Sequence, residues 1–291
     1  MLHEDAIRRM PLVKQFLFSA ASASWAFCSP SPAMAVGLTE RLAARDSSKL
    51  IKPILNMPPG RTLYPEWLNG EWRASIAFDG YELPPCGISR EELFSQPTIP
   101  GFQKLSVASI PDVGSSWSCR LRYVKPDPTQ KAVFEDRAYN LRSITNGCLG
   151  YDAIDRVEYE PTSLEYNKGP NRISLVFKQG RTPNAERIEL FANSREWETL
   201  AGADIFVCSE SIRQVTFGAS KVAGVARQVS TEYAHYFTFR RFNDQEVRAS
   251  LLTAAYLDPL QQDAWFLRAP TKPVIVYSHR IQLRRETDTA A

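Results

Sequence analysis

Histidine and cysteine are scarce, with 3 and 5 copies in 291 residues, and this narrows the chemistry available. There is no Cys-X-X-Cys, so a zinc ribbon or a thioredoxin-like pair has no basis in the sequence. A phosphate-binding glycine loop, a dinucleotide fingerprint and a His-Glu-X-X-His helix are also missing, and Ser209 and Ser211 lack a Gly-X-Ser-X-Gly elbow. No catalytic residue is nominated, and an enzyme reading is unsupported. The net charge of +3 is small and dispersed. The pairs Arg240-Arg241 and Arg284-Arg285 are too sparse for counterion-release binding, so no nucleic-acid partner is expected. No segment offers the ~20 apolar residues of a spanning helix. The mature protein is therefore expected to have no transmembrane segment.

What is present is a chain with 44% hydrophobic and 23% charged residues, the usage of a protein that buries a core. Its first 35 residues read as an export address. Arg8-Arg9 is followed by Met10, Pro11, Leu12, Val13 and Lys14, close to the twin-arginine pattern, then by a mildly apolar stretch and a polar break. Ala33-Met34-Ala35 closes it with small residues where a signal peptidase needs them. Cleavage after Ala35 is expected, the alternative being an amphipathic helix of the mature fold. A thylakoid-lumen or bacterial twin-arginine signal has this form. A plastid protein would carry a transit peptide ahead of it and seven residues stand before Arg8, so cyanobacterial and plastid origins both stay open. Cys28 leaves with the signal. Cys86, Cys119, Cys148 and Cys208 remain, with three possible pairings or four free thiols.

Residues 36–60 read as an N-terminal arm with two helix-like turns, at 38–44 and 49–55, ending at Met57-Pro58-Pro59-Gly60. From Trp67 onward the dominant signal is period-two alternation in short runs. Strands are expected at 71–79, 102–110, 117–124, 132–144, 156–160, 171–178, 186–194, 204–217, 229–242, 246–257 and 274–284, of which eight to ten survive pruning. Residues 80–101, with prolines at 84, 85, 97 and 100, read as a long loop with a helical turn at 89–94, able to lid a barrel mouth. Asn243-Asp244 and residues 180–184 mark hairpins. Strands that follow one another without long helices exclude a doubly wound α/β fold. The expectation is an all-β, antiparallel up-and-down β-barrel over 61–285, closed to remove its edges, with a disordered tail at 286–291.

Alternation also sorts the faces. Val229, Thr231, Tyr233, His235, Phe237 and Phe239 share one, and Ile275, Tyr277, His279, Ile281 and Leu283 another. Trp117 aligns with Cys119, Leu121 and Tyr123, which makes Cys119 a small buried hydrophobe rather than a nucleophile. Trp72, Trp117, Tyr233, His235, Phe237, Tyr277 and His279 are the candidate barrel lining for a ligand. For each histidine the default is a satisfied core imidazole, and the sharper alternative is a polar group fixing a ligand head or binding haem iron. No cofactor is otherwise expected. Asp152, Asp155 and Glu158 read as a solvated charge cluster.

Gly70-Glu71-Trp72 resembles the Gly-X-Trp start of the lipocalin and calycin barrels, in which a basic residue of the last strand packs on the Trp. The resemblance makes Arg285 the candidate partner, since alternation puts it on the His279 face. A wider resemblance, to an uncharacterised family of cyanobacterial and plastid proteins exported to the thylakoid lumen, rests on four stretches: Tyr64-Pro65-Glu66-Trp67-Leu68-Asn69-Gly70-Glu71-Trp72, Asp136-Arg137-Ala138-Tyr139-Asn140, Ser209-Glu210-Ser211-Ile212-Arg213-Gln214 and Tyr256-Leu257-Asp258-Pro259. It implies a lipocalin-type barrel in the lumen and no reaction. It also singles out Arg137 and Arg213, each read as lying in a strand beside an acid, Asp136 or Glu210. A structural ion pair is the default there, and a polar cluster of Arg137, Arg213 and Glu210 orienting an anionic head group is the alternative.

Two functions follow as expectations. The first is a non-enzymatic lumenal barrel holding an apolar or amphipathic small molecule such as a lipid or pigment. The second is a packed barrel serving as an accessory factor for photosynthetic membrane complexes, with residues 80–101 and the arm as contact surfaces. Volume discriminates them, because a ligand site needs a cavity of ~300 Å³ or more.

Overall fold

The computed structural model describes residues 37–53, 60–127, 129, 131–159, 171–183, 185–200, 202, 204–218 and 227–286, all within one compact unit, Val36–Ala291. The export signal at 1–35 and the tail from residue 287 lie outside the described residues, as do positions 54 and 55 of the second helical turn expected in the arm; its described part, 49–53, is helical at Lys49 alone, the end of a 3-10 turn Ser47–Lys49.

Ten strands form one antiparallel sheet: β1 (Gly70–Glu82), β2 (Trp117–Val124), β3 (Phe134–Glu135), β4 (Ile154–Glu158), β5 (Arg172–Phe177), β6 (Arg187–Leu200), β7 (Ile205–Gly218), β8 (Arg227–Arg241), β9 (Glu246–Tyr256) and β10 (Ile275–Arg285). Their order across the sheet is β3-β2-β1-β10-β9-β8-β7-β6-β5-β4, so sequence neighbours pair from β4 to β10 and the last strand returns to the first. The sheet curls into a barrel-like shell. Its inner face carries Trp72, Ala74, Ile76, Tyr233, Leu251, Ile281 and Leu283, all buried, as alternation requires of a half-buried strand.

Among the described residues four α-helices complete the fold: α1 (Leu38–Ala43), α2 (Arg90–Phe94), α3 (Arg137–Leu149) and α4 (Asp263–Phe266). The arm lies on the outside of the sheet, where Leu38, Leu42 and Leu50 cover Val207, Ala234, Tyr236, Ala254, Tyr256 and Val276. Glu198 of β6 accepts from Leu38 N (2.6 Å) and Thr39 N (3.0 Å), capping a helix that has no cap of its own. Tyr256 Oη donates to Leu50 O at 2.7 Å. α2 starts at Ser89 with a reciprocal Ser89–Glu92 capping box, and Arg268 pairs with Glu92 at 2.9 Å, tying that loop to the one carrying α4.

Two expected strands are corrected. Residues 137–149 are helix: Asp136 caps its start by accepting from Tyr139 N (3.2 Å), and Gly150 ends it in the left-handed conformation at φ 78°. This helix occupies the seam between the sheet's two ends and acts in place of a strand. Toward β2, Asn140 accepts from Arg122 N (2.7 Å) and donates to Arg122 O (3.2 Å), the two-bond ring a neighbouring strand would make. Ser143 Oγ accepts from Arg120 N at 2.9 Å. Toward β4, Asn146 Oδ1 accepts from Ala153 N (2.9 Å) and Ile154 N (3.1 Å), while Arg142 donates to Asp155 O at 2.8 Å. Both exposed edges are thus satisfied by side chains of one helix, which removes the hazard of open edges without closing the ladder. The approach is close enough that a Cβ on Gly147 would sit 2.6 Å from Ser118 O.

Residues 102–110 are the second correction. They belong to an irregular segment, 95–116, that enters the shell and fills it with Ile99, Leu105, Val107, Ala108, Ile110 and Val113. Because backbone without a ladder needs other partners when buried, the shell supplies them. Gln214 donates to Leu105 O (2.6 Å) and accepts from Ala108 N (2.9 Å). Thr231 donates to Ser106 O (3.0 Å), Tyr277 to Pro100 O (2.7 Å), and His279 Nε2 bonds Val113 O (2.8 Å).

Candidate functional site

Beside the seam, the internal segment borders a cavity of about 90 Å³. Ile76 of β1, Leu121 of β2, Phe237 and Phe239 of β8, Leu251 of β9 and Ile281 of β10 make its apolar wall. Ser109 and Ile110 of the internal segment make its floor, and Arg137, Leu141 and Ile144 of α3 its seam side. A polar end is built by Glu135, Arg137, Ser209, Glu210 and His235. It continues into a narrow opening of about 20 Å³ framed by Arg61, Thr62, Tyr64, Phe134, Glu135, Arg137, Tyr159 and Arg195.

At that end Arg137 grips Glu210 with two bonds, Nη1 at 2.9 Å and Nη2 at 3.0 Å, and Arg195 Nε donates to the same carboxylate at 2.7 Å. Arg137 Nη1 also stands 3.7 Å from Glu135. Burial alone would raise the Glu210 carboxyl, but the two guanidinium groups override it and hold it at about 2. Burial likewise opposes the Arg137 charge, and Glu210 and Glu135 more than offset it. Glu135 has less help: burial raises its carboxyl despite Arg137, favouring the neutral acid. His235 is pushed down to about 4 by burial and is neutral at ordinary pH. Its Nδ1 shares a hydrogen bond with Thr253 Oγ1 at 3.0 Å. Its Nε2 and Arg137 Nε have no hydrogen-bond partner among the described residues, and both side chains line the cavity.

Of the seven candidate lining residues, His235 and Phe237 border this cavity. Tyr233, Tyr277 and His279 instead hold the internal segment, Tyr233 through Gln214 Oε1 at 2.9 Å. Trp72 sits near the start of β1, paired across the sheet with Leu121 of the cavity wall, its Nε1 donating to Leu68 O at 2.7 Å, under the Arg285 guanidinium 4.3 Å from its ring. Arg285 also donates to Asn69 O (2.8 Å) and Trp67 O (3.1 Å), so the Arg–Trp contact drawn from the resemblance is present. Trp117 is half-buried at the start of β2, with Nε1 unpartnered among the described residues. In the polar cluster the structure joins Arg137 to Glu210 but not Arg213, which lies three positions from Glu210 along β7 and so projects to the other face, near Ser230. Arg195 stands where Arg213 was expected. Its signal was its place directly opposite Glu210 in the β6–β7 register, one residue beyond the expected end of β6.

The four cysteines are free thiols, and burial pushes Cys119 up to about 12, which makes it inert. Among the described residues no group of three or more His, Cys, Asp or Glu could hold a metal ion, and no helix is long and apolar enough to cross a membrane. The cavity is smaller than the ~300 Å³ at which small-molecule sites begin.

Fold and site together define a class: an antiparallel β-shell sealed by a helix, internally filled, with a small half-polar cavity at the seam. The chain belongs to the family described as Domain of unknown function (DUF6816), which it matches over residues 57–287. No curated protein and no solved structure matches it.

Proposed function

We propose that this protein is a non-enzymatic binding barrel for a small amphipathic molecule, working after export in a thylakoid lumen or a periplasm. One observation carries the binding reading: a buried cavity with an apolar wall is lined by Arg137 and His235, whose Nε and Nε2 atoms have no hydrogen-bond partner among the described residues. Leaving such atoms unmatched costs on the order of 1–3 kcal/mol each, and a bound polar group or ordered water recovers it. The export part rests on Arg8-Arg9 and Ala33-Met34-Ala35. The volume argues for something far smaller than the lipid or pigment expected from the sequence, or for one end of a larger molecule entering at the seam.

A second reading, an accessory factor that binds other proteins, is favoured by a different observation. The shell is filled by its own residues 95–116, and Tyr81 at the end of β1, Phe94 of α2, and Leu260 and Leu267 on either side of α4 are exposed. Native mass spectrometry of the protein purified from its host without denaturation decides between them. A small co-purifying mass of stoichiometric occupancy supports the binding barrel. A clean protein mass accompanied by a reproducible larger partner supports the accessory factor and removes the first reading.

A further inference from the structure

We infer that the group recognised at the seam is a carboxylate, and that the site takes a short-chain carboxylic acid with its head at Arg137 and its tail toward Phe237 and Leu251. The inference rests on the binding reading above and adds the chemical class and the orientation.

The argument begins with charge. Three guanidinium groups, of Arg61, Arg137 and Arg195, frame the opening, against the carboxylates of Glu135 and Glu210. Glu210 is saturated by Arg137 and Arg195, and Glu135 is approached by Arg137 and accepts from Asn140 Nδ2, so three guanidinium groups stand against two carboxylates. Arg61 stacks on the Phe134 ring at 4.1 Å and has no carboxylate partner among the described residues. The seam is thus left with surplus positive charge in a place where water is scarce, which disfavours a cationic head and favours an anionic one.

Donor geometry agrees. A guanidinium has five N–H groups, and in Arg137 the Nε–H has no hydrogen-bond partner among the described residues. A charge-assisted bond from that atom to a carboxylate oxygen is roughly twice as strong as the bond a neutral hydroxyl would accept. The neutral His235 ring offers Nε2 on the cavity wall, with a role set by which proton Nδ1 shares with Thr253. One oxygen of the ligand can meet it as acceptor, or as donor when the acid is protonated.

Size sets the tail. A cavity of ~150 Å³ lined by aliphatic and aromatic side chains accepts benzene. In proportion, about 90 Å³ takes roughly four non-hydrogen atoms. With the head in the opening, this fits a chain of about four carbons or the terminus of a longer acid that leaves through the seam.

The test uses three probes of one shape, butyrate, n-butanol and n-butylamine, titrated into the full chain and followed by calorimetry and by the NMR signals of the His235 ring. The expected result is saturable butyrate binding at least tenfold tighter than either analogue, with the His235 signals shifting only with butyrate. Arg137→Gln should abolish the preference, and if that variant does not fold, the analogue series decides alone. Butanol binding as tightly as butyrate overturns the carboxylate inference and leaves the binding barrel standing. Failure of all three probes to bind overturns both.

Discussion

Asn140 is the residue through which α3 substitutes for a strand, and replacing it with leucine isolates that role. Its side chain is fully buried, accepts from Arg122 N and donates to Arg122 O and to Glu135 Oε1. In Asn140→Leu the Arg122 carbonyl keeps a second partner, Asp136 N at 3.0 Å, so it is not orphaned. The Arg122 N–H has no such reserve and becomes a buried donor without a bond, at a cost of about 1–3 kcal/mol. Glu135 loses a stabilising donor as well. A net destabilisation of about 2–3 kcal/mol is expected. Ser143→Ala removes one less buried bond to the same edge and should cost only about 0.5–1 kcal/mol. Urea denaturation gives both values, and amide hydrogen exchange at residue 122 should rise in Asn140→Leu to the rate of the seam's own opening. If Asn140→Leu is within about 0.5 kcal/mol of the parent and exchange at residue 122 is unchanged, the helix is not serving as the missing strand.

Four further outcomes follow from the same geometry. Gly147→Ala, which in an exposed helix would stabilise by about 1 kcal/mol, should destabilise here by about 1–3 kcal/mol, because its Cβ meets Ser118 O; thermal melting gives the sign. Gly101 has φ +95° and a Cβ there would stand 2.4 Å from Tyr277 Oη, so Gly101→Ala should break the Tyr277–Pro100 bond and make residues 95–116 sensitive to limited proteolysis at native pH. His235 has its imidazole depressed from 6.5 to about 4 in the folded state, so the unfolded chain binds the proton first and stability falls as pH drops through that window. The loss between about pH 7 and about pH 5 is about 2 kcal/mol, and unfolding free energies measured against pH should lose that slope in His235→Gln. Glu210 acts lower: held at about 2, it contributes stability above about pH 4.5 that disappears as pH falls toward its folded value.

Much of the shell was legible in the chain because a strand with one buried face records that burial every second residue. β2 matches its expected bounds at both ends, and β9 and β10 fall within one residue of theirs. The inward face of β8, from Tyr233 to Phe239, could be written down from alternation alone. Local chemistry was equally readable where one segment contains both halves of a contact, as in the Ser89–Glu92 capping box. The polar end of the cavity was half legible: His235 follows from strand parity and Glu210 was singled out by the resemblance, whereas Arg137 reaches them only because its helix enters the seam.

What tertiary structure alone decided is what lies between the strands. The segment 137–149 shows little amphipathic patterning because both its flanks bear polar side chains, Asn140 and Ser143 toward one sheet edge, Arg142 and Asn146 toward the other. A helix whose flanks serve hydrogen bonds carries no apolar stripe, and only Asp136 before it and Gly150 after it marked its limits. Residues 102–110 mimic a strand in composition because Leu105, Val107, Ala108 and Ile110 are buried inside the shell, and their burial follows no single period. The cavity is the remainder after that segment has entered the shell, and its volume depends on contacts between Gln214 and Leu105, or His279 and Val113, more than 100 positions apart in sequence.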